Sequence, residues 1–323
     1  MLILTWNEAE DIADLLVSIA DQEGGGFEVV IVDADSDDGT IERIQAARED
    51  LEVPVKLEVS DGRIPIGQAR NRAVALAEAP NVAFLSADTE LAPNWTQRAL
   101  AGLEDADMVF SRQVHAPRSW SLGAAVRALR YHFPDEATDD PLRYASNVAA
   151  VYRKEIVERF PFEPDVVAVD DLLLADRASE AGYEAAYDPA MVVYHHDVAD
   201  ARGELAKSVR EARGWGLNVD ELGLMVPVIA WSLLSAVALA LLAAPASLVP
   251  TPTVLDAGLV VAVLYAPALR RIDRQLGEMP TRWLVAGVLA GPVFDLVFLT
   301  SYLRGLLERE GSPAASRPEG TEP

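Results

Sequence analysis

Six short polar clusters carry the residue types able to bind an ionic ligand or move a proton. They are Thr5, Asn7 and Glu8 in ILTWNEAE, Asp33 and Asp35 in VVIVDADSDDGT, Arg70 and Asn71 in GQARN, Ala87 and Asp88 in FLSAD, Asp170 and Asp171 in VDDLLLADRASEAGY, and His195 in VYHHD. An ionised carboxylate only accepts hydrogen bonds, so these aspartates suit N–H and O–H donors, cations, or a proton released in a reaction. Each cluster also has a plain reading. Ser36 to Thr40 reads as an Asx-type turn with a helix cap, Asp170 and Asp171 as a cap, Arg70 as a surface helix arginine, and His195 as a core histidine. Four clusters at successive strand ends are harder to explain as solvated turns than one would be.

The elements that must position them are legible from periodicity. Met1 to Trp6 is a short apolar strand ending at Asn7, a good N-cap, and Ile12, Leu15, Leu16 and Ile19 then recur at helical spacing up to the Gly24–Gly26 turn. FEVVIVDA is a β-branched run typical of a buried parallel strand, followed by a helix from Ile41 to about Glu49. VPVKLEVS predicts a third strand, GQARNRAVALAEA a helix opened by a glycine, and NVAFLSAD a fourth strand that stops at a carboxylate. Strands alternating with helices imply a mostly parallel sheet covered on both faces. In such sheets ligands collect beyond the carboxyl ends of the strands, where Asn7, Asp33, Asp35 and Asp88 fall.

In this order and spacing the motifs resemble the N-terminal half of family 2 glycosyltransferases, which have the GT-A fold (Rossmann-like α/β, mostly parallel sheet) and use nucleotide-sugar donors. The resemblance covers roughly residues 2 to 216 and implies roles residue by residue. Asp33 resembles the aspartate that receives the nucleobase and ribose, with Thr5, Asn7, Glu8 and Asp35 completing the pocket. Arg70 and Asn71 resemble the donor-contacting pair. Ser86, Ala87 and Asp88 match the Asp-x-Asp metal motif with its first carboxylate replaced by serine, so the resemblance implies Mg²⁺ or Mn²⁺ held by Asp88, with His195 or His196 closing the site. Asp170 and Asp171 resemble the acidic pair near the acceptor, Asp171 being favoured as base, and Arg177 falls where the family often has an arginine. Leu173 stands where relatives are often acidic. Arg210 and Arg213, in the basic stretch KSVREARGWG, resemble arginines that meet a lipid-linked phosphate or the donor diphosphate, while also fitting an anchor that obeys the positive-inside rule.

Composition bounds what else the chain can be. Its 323 residues predict two parts, and the absence of cysteine excludes disulfides, thiolate nucleophiles and cysteine metal sites. A net charge of −24 repels a polyanion, which argues against nucleic-acid binding. Only Lys56, Lys154 and Lys207 among 27 basic residues are lysine, an acid-rich, lysine-poor balance that looks halophilic. Three hydrophobic segments follow the α/β part, at 225–248, 253–269 and 283–303, the first long enough to span a bilayer. Arg270, Arg271, Arg274 and Arg282 lie between the second and third, and Lys207, Arg210 and Arg213 precede the first, which puts both sides in the cytoplasm. Pro292 near the middle of the third segment suggests re-entry, and Asp295 inside it must face protein or water, as a packing or a substrate-lining residue.

The expectation is a GT-A domain over 1–216, C-terminal transmembrane helices within 217–305, and a disordered tail at 306–323. The chain reads as an inverting, metal-dependent hexosyltransferase-like enzyme on the cell membrane, multi-pass with a cytoplasmic catalytic domain. Its donor is a nucleotide sugar and its acceptor a lipid-linked polyprenol species in polysaccharide or glycoprotein assembly. The alternative is a nucleotide-sugar-binding membrane scaffold that lost catalysis with Ser86. A nucleotidyltransferase ranks low, since TWNEAEDIADLL lacks the glycine-rich basic phosphate loop.

Overall fold

The computed structural model describes residues 1–23, 26–48, 51–131, 133–166, 168–196, 200–222, 229–230, 232–234, 237 and 279–310. Contacts divide the chain into two units, Met1–Arg118 with Tyr131–Val198, and Ser119–Arg130 with Ala199–Pro323.

In the first unit, β1 (Leu2–Thr5), β2 (Val29–Asp33), β3 (Val55–Val59) and β4 (Asn81–Ser86) pair in parallel in the order β3-β2-β1-β4. All five residues of β2 are buried, as a strand covered on both faces requires. Side chains alternate between two cores. Ile3 and Ile31 join Ile12, Leu15, Leu16 and Ile19 of α1 (Ile12–Ala20), while Leu2 and Val30 join Ala69, Ala73 and Val74 of α3 (Ile66–Leu76). α2 (Thr40–Arg48) adds Ile44 to the first core. The helix after β1 starts at Ile12, five residues past the Asn7 cap that the sequence suggests. Asn7 does not cap it, because its backbone is left-handed (φ 59°) and its side chain bonds Asp37 instead.

Beyond β4 the sheet is mixed, with β6 and β8 parallel to each other. β5 (Thr89–Leu91), α4 (Trp95–Asp105), β6 (Met108–His115), β7 (Ala149–Arg153), α6 (Lys154–Arg159), α7 (Asp170–Glu180) and β8 (Ala185–His195) complete an eight-stranded sheet, order β3-β2-β1-β4-β7-β6-β8-β5. β7 lies antiparallel between β4 and β6, and β5 pairs antiparallel with β8. That last pairing sets Thr89 opposite His195 and so carries His195 to the residue beside Asp88.

The second unit contains α5 (Leu122–Arg130), α8 (Ala201–Leu217), α9 (Val219–Leu222) and α10 (Thr281–Glu310). Helix α10 continues through Pro292, so the third hydrophobic segment is one helix. It is the one helix among the described residues long and apolar enough to cross a membrane, over Thr281–Arg309. Asp295 within it is buried and lies 3.5 Å from Arg130 of α5, which makes it a packing residue. Gly216 and Gly305 bring α8 and α10 together, since a Cβ on Gly216 would fall 2.3 Å from the Tyr302 carbonyl oxygen. The segment 225–248 is described only at residues 229–230, 232–234 and 237, and 253–269 lies outside the described residues.

Candidate active site

Register sets the floor of the site. Thr5 pairs with Asp33 and Leu4 with Ser86, so the ends of β1, β2 and β4 form one edge. Asp33 is fully buried and its carboxylate accepts from Thr5 Oγ1 (2.6 Å), Ser36 N (2.8 Å) and Ser36 Oγ (2.7 Å). The acidic turn after it stitches the β1 loop in place. Asn7 N donates to Ser36 Oγ, Asn7 Nδ2 to Asp37 Oδ1, Glu8 N to Thr40 Oγ1 and Ala9 N to Asp38 Oδ2, all between 2.8 and 3.1 Å. Asn7 and Asp35 both have left-handed backbone, φ 59° and 64°, which Asn and Asp tolerate best among non-glycine residues. Two adjacent loops are thereby held as one wall around Asp33.

The β4 end carries Asp88. Ser86 Oγ donates to Asp88 Oδ1, His195 Nε2 lies 3.1 Å from Asp88 Oδ2, and Ala87 is buried between them. The sequence left His195 and His196 equivalent, and the structure separates them. His196 turns away, its Nδ1 2.7 Å from the Ala116 carbonyl and its Nε2 2.6 Å from Glu90. Burial first, then the charges of Asp88, Asp11 and Asp38, push Glu8 up to about 8. A carboxyl raised from its ordinary value destabilises the fold as pH climbs through that range, because unfolding releases the proton's site to water. Glu8→Gln is therefore expected to raise the melting temperature at pH 9 and to leave it nearly unchanged at pH 5, in EDTA without nucleotide. An equal shift at both pH values would show that Glu8 is not held protonated.

The donor set fits a divalent cation in part. Asp88 supplies a carboxylate oxygen and His195 an imidazole nitrogen, and no group of three or more such side chains is assembled among the described residues. A nucleotide diphosphate and water would have to complete the shell.

The third cluster is assembled from distant segments. Arg70 and Asp170 form a buried ion pair, with the guanidinium 5.1 Å from the Phe162 ring. Asn71 Nδ2 donates to the Phe162 carbonyl (2.7 Å) and Asn71 Oδ1 accepts from Phe162 N (2.9 Å). Gly67 permits this approach, since a Cβ there would meet the Glu163 carbonyl oxygen at 2.9 Å. Arg70 and Asn71, expected at the donor, thus bond the first residue of α7 and the loop before it, respectively. Ala168 and Val169, which lead into Asp170, are both left-handed (φ 67° and 60°). For a β-branched residue that is an outlier, the kind that persists only where surroundings over-determine it.

Asp171 is half-buried and keeps its carboxylate toward the sheet edge, accepting from Asn147 N (3.2 Å) and Leu172 N (3.0 Å). Burial raises its pKa, opposed chiefly by the Arg70 charge. Asn147 is the link the sequence did not disclose. Its Oδ1 accepts from Tyr152 Oη (2.9 Å), and its neighbour Val148 accepts through its carbonyl from Ser86 N (2.9 Å). Asp171 is thereby one backbone step from the segment that carries Asp88. Arg177 pairs with Glu163 (2.6 Å) beside an open recess walled by Phe160, Phe162, Leu173 and Asp170. In the second unit Arg213 pairs with Glu308 (2.6 Å) and Arg210 is exposed.

Residues 1–160 match the family described as Glycosyl transferase family 2. No curated protein matches the chain by sequence. Among solved structures, the mannosyltransferase PcManGT from Pyrobaculum calidifontis, in complex with GDP-Man and Mn²⁺, is 23% identical at a TM-score of 0.56, covering 94% of this chain and 86% of that one. TarS residues 1–349 from S. aureus with UDP is 16% identical at 0.52, covering 96% and 91%. GalNAc-T7 with UDP, GalNAc and Mn²⁺ is 14% identical at 0.51, covering 68% and 47%. These likenesses are of fold, and the family match supports a glycosyltransferase.

Proposed function

We propose that this chain, with a family 2 glycosyltransferase domain over residues 1–160, is an inverting, hexosyltransferase-like enzyme that moves a sugar from a nucleotide donor to a lipid-linked polyprenol acceptor. The observation that carries the reading is the connection Asp88, Ser86, Val148, Asn147, Asp171, which links at one edge of the sheet the two carboxylates that this reading takes as cation ligand and proton acceptor. Asp33, buried and gripped by Thr5 and Ser36, would form the floor of the base and ribose pocket. Asp88 and His195 would hold Mg²⁺ or Mn²⁺, which neutralises charge on the departing diphosphate. The acceptor hydroxyl attacks the anomeric carbon from the face opposite the diphosphate, the bond to the diphosphate oxygen breaks, and Asp171 takes the hydroxyl proton. Asp170 cannot serve as readily, because Arg70 occupies it.

The acceptor class rests on α10, whose exposed Val285, Leu289, Val293 and Leu307 give an apolar face to a helix of spanning length. With the arginine-rich flanks, this supports a membrane enzyme with its catalytic domain in the cytoplasm.

The reading is tested by titrating detergent-solubilised protein with UDP, GDP and dTDP, with and without Mn²⁺. One nucleotide is expected to bind in a metal-dependent way, and Asp88→Ala should weaken it by at least about tenfold. If no nucleotide binds, or Asp88→Ala binds as well as wild type, the reading fails. If binding is retained with no hydrolysis of any nucleotide sugar and no transfer to a polyprenol phosphate, the scaffold reading takes its place.

A further inference from the structure

The carboxylates of Asp33 and Asp88 at this edge repel a diphosphate, so a donor needs cationic side chains there as well as a metal. Arg70 is removed from that role by its burial against Asp170. Arg118, on the same wall, is divided between Asp11 (2.7 Å) and Asp14 (2.6 Å). Arg63 is different. It is exposed, forms no ion pair among the described residues, and lays its guanidinium 3.5 Å from the centre of the Trp6 ring.

Both partners in this stack are anchored to Asp33. Trp6 follows Thr5, whose hydroxyl donates to the Asp33 carboxylate, and it is 41% exposed, unusual for the largest apolar side chain at the end of a buried strand. Ser60 N donates to the Asp33 carbonyl (2.9 Å), Ser60 Oγ donates to the Gly62 carbonyl (2.6 Å), and Gly62 at φ +82° then turns the chain so that Arg63 returns over β1. A left-handed glycine costs no steric strain there. A guanidinium lying flat on an indole is attracted by the ring face and keeps its N–H donors in plane, free to fork onto phosphate oxygens. Stacking also removes most of the rotamer freedom that a free arginine would lose on binding.

We propose that Arg63, held on the Trp6 platform, is the cation that meets the phosphates of the nucleotide donor. This rests on the nucleotide-sugar reading above. Trp6 acts as a positioning residue, and neither residue belongs to a motif whose spacing marks it.

The test compares wild-type full chain with Arg63→Ala, Arg63→Lys, Trp6→Ala and the Arg63→Ala/Trp6→Ala double variant, titrating each in Mn²⁺ with the nucleoside, nucleoside monophosphate and nucleoside diphosphate of the preferred base. Arg63→Ala should weaken the two phosphorylated ligands about tenfold or more and leave the nucleoside unchanged. Arg63→Lys should recover part of that loss, since charge without the planar fork remains. In the Trp6→Ala background, Arg63→Ala should cost a smaller factor than in wild type. Unchanged diphosphate binding in Arg63→Ala, or an equal loss for the nucleoside, overturns the assignment while leaving the proposed function intact. A full-sized Arg63→Ala effect in the Trp6→Ala background overturns the platform. Failure of the wild type to bind any nucleotide overturns the proposed function itself, and this inference with it.

Discussion

Asp171→Asn is expected to lower kcat by about 10³-fold with little change in KM, the loss associated with a positioned general base. Asparagine keeps the volume, and its single amide oxygen can still accept from Asn147 N or from Leu172 N, which bond different oxygens of Asp171, so the helix start should survive with one of the two bonds lost. What it cannot do is take a proton. The pH profile gives an independent reading. Because burial raises the Asp171 pKa, the ionised form that can act as base appears only above the ordinary carboxylate range, and kcat/KM should rise with pH through that raised value. The Arg70 charge works in the opposite direction, so weakening it should push the acid limb further up. Asp170→Asn is the comparison, since that carboxylate is held by Arg70 rather than presented to the edge. A residual rate in Asp171→Asn within tenfold of wild type, with an unshifted acid limb, would remove Asp171 from the chemistry.

Arg70→Met should be the most damaging substitution for stability in the α/β unit. It removes one partner of a buried ion pair and leaves Asp170, itself only 8% exposed, without its counter-charge. Breaking such a pair from one side costs about 3–5 kcal/mol, which for a unit of this size lowers the melting temperature by roughly 10 °C. Replacing both partners is the control. Arg70→Met/Asp170→Leu should recover most of the loss, because the cost lies in the stranded charge rather than in the missing attraction. Activity should not return with stability, since the start of α7, which carries Asp171, would no longer be tied to Arg70. A single-variant loss below about 1 kcal/mol would mean that Asp170 finds water or another donor, and that the pair is weaker than its burial suggests.

The first half of the sheet was legible because its information is local. Each apolar run is short, β-branched and closed by a polar residue, and each helix repeats its apolar positions at 3.6-residue spacing. Such patterns place Asp33 and Asp88 at strand ends without any knowledge of pairing order. The same locality explains the misplacement of Asn7. A good capping residue stands where a cap is wanted, but Asp37, thirty residues on, competes for its side chain and wins. The site residues that escaped notice are those whose relevance is purely spatial. Ser60 closes the third strand as Asp33 closes the second and could have been found by the same rule. Asn147, Trp6 and Arg63 carry no spacing signal.

By itself, the sequence determined the residue types, the parallel β1–β4 core, the acidic character of its open edge and the apolar character of the C-terminal third. Those follow from composition and short periodicities, which the chain expresses wherever it folds. Only the tertiary structure gave a physical ground for preferring Asp171, which the family resemblance already favoured as base, over Asp170. Asp170 and Asp171 are chemically identical neighbours, and only a partner a hundred residues away makes one a buried counter-ion and the other a candidate base. It likewise sets His195 beside Asp88 and His196 against Glu90, through an antiparallel pairing of β5 with β8 that no local pattern announces. Pairing between distant segments depends on which surfaces bury one another, a property of the assembled fold rather than of any stretch within it.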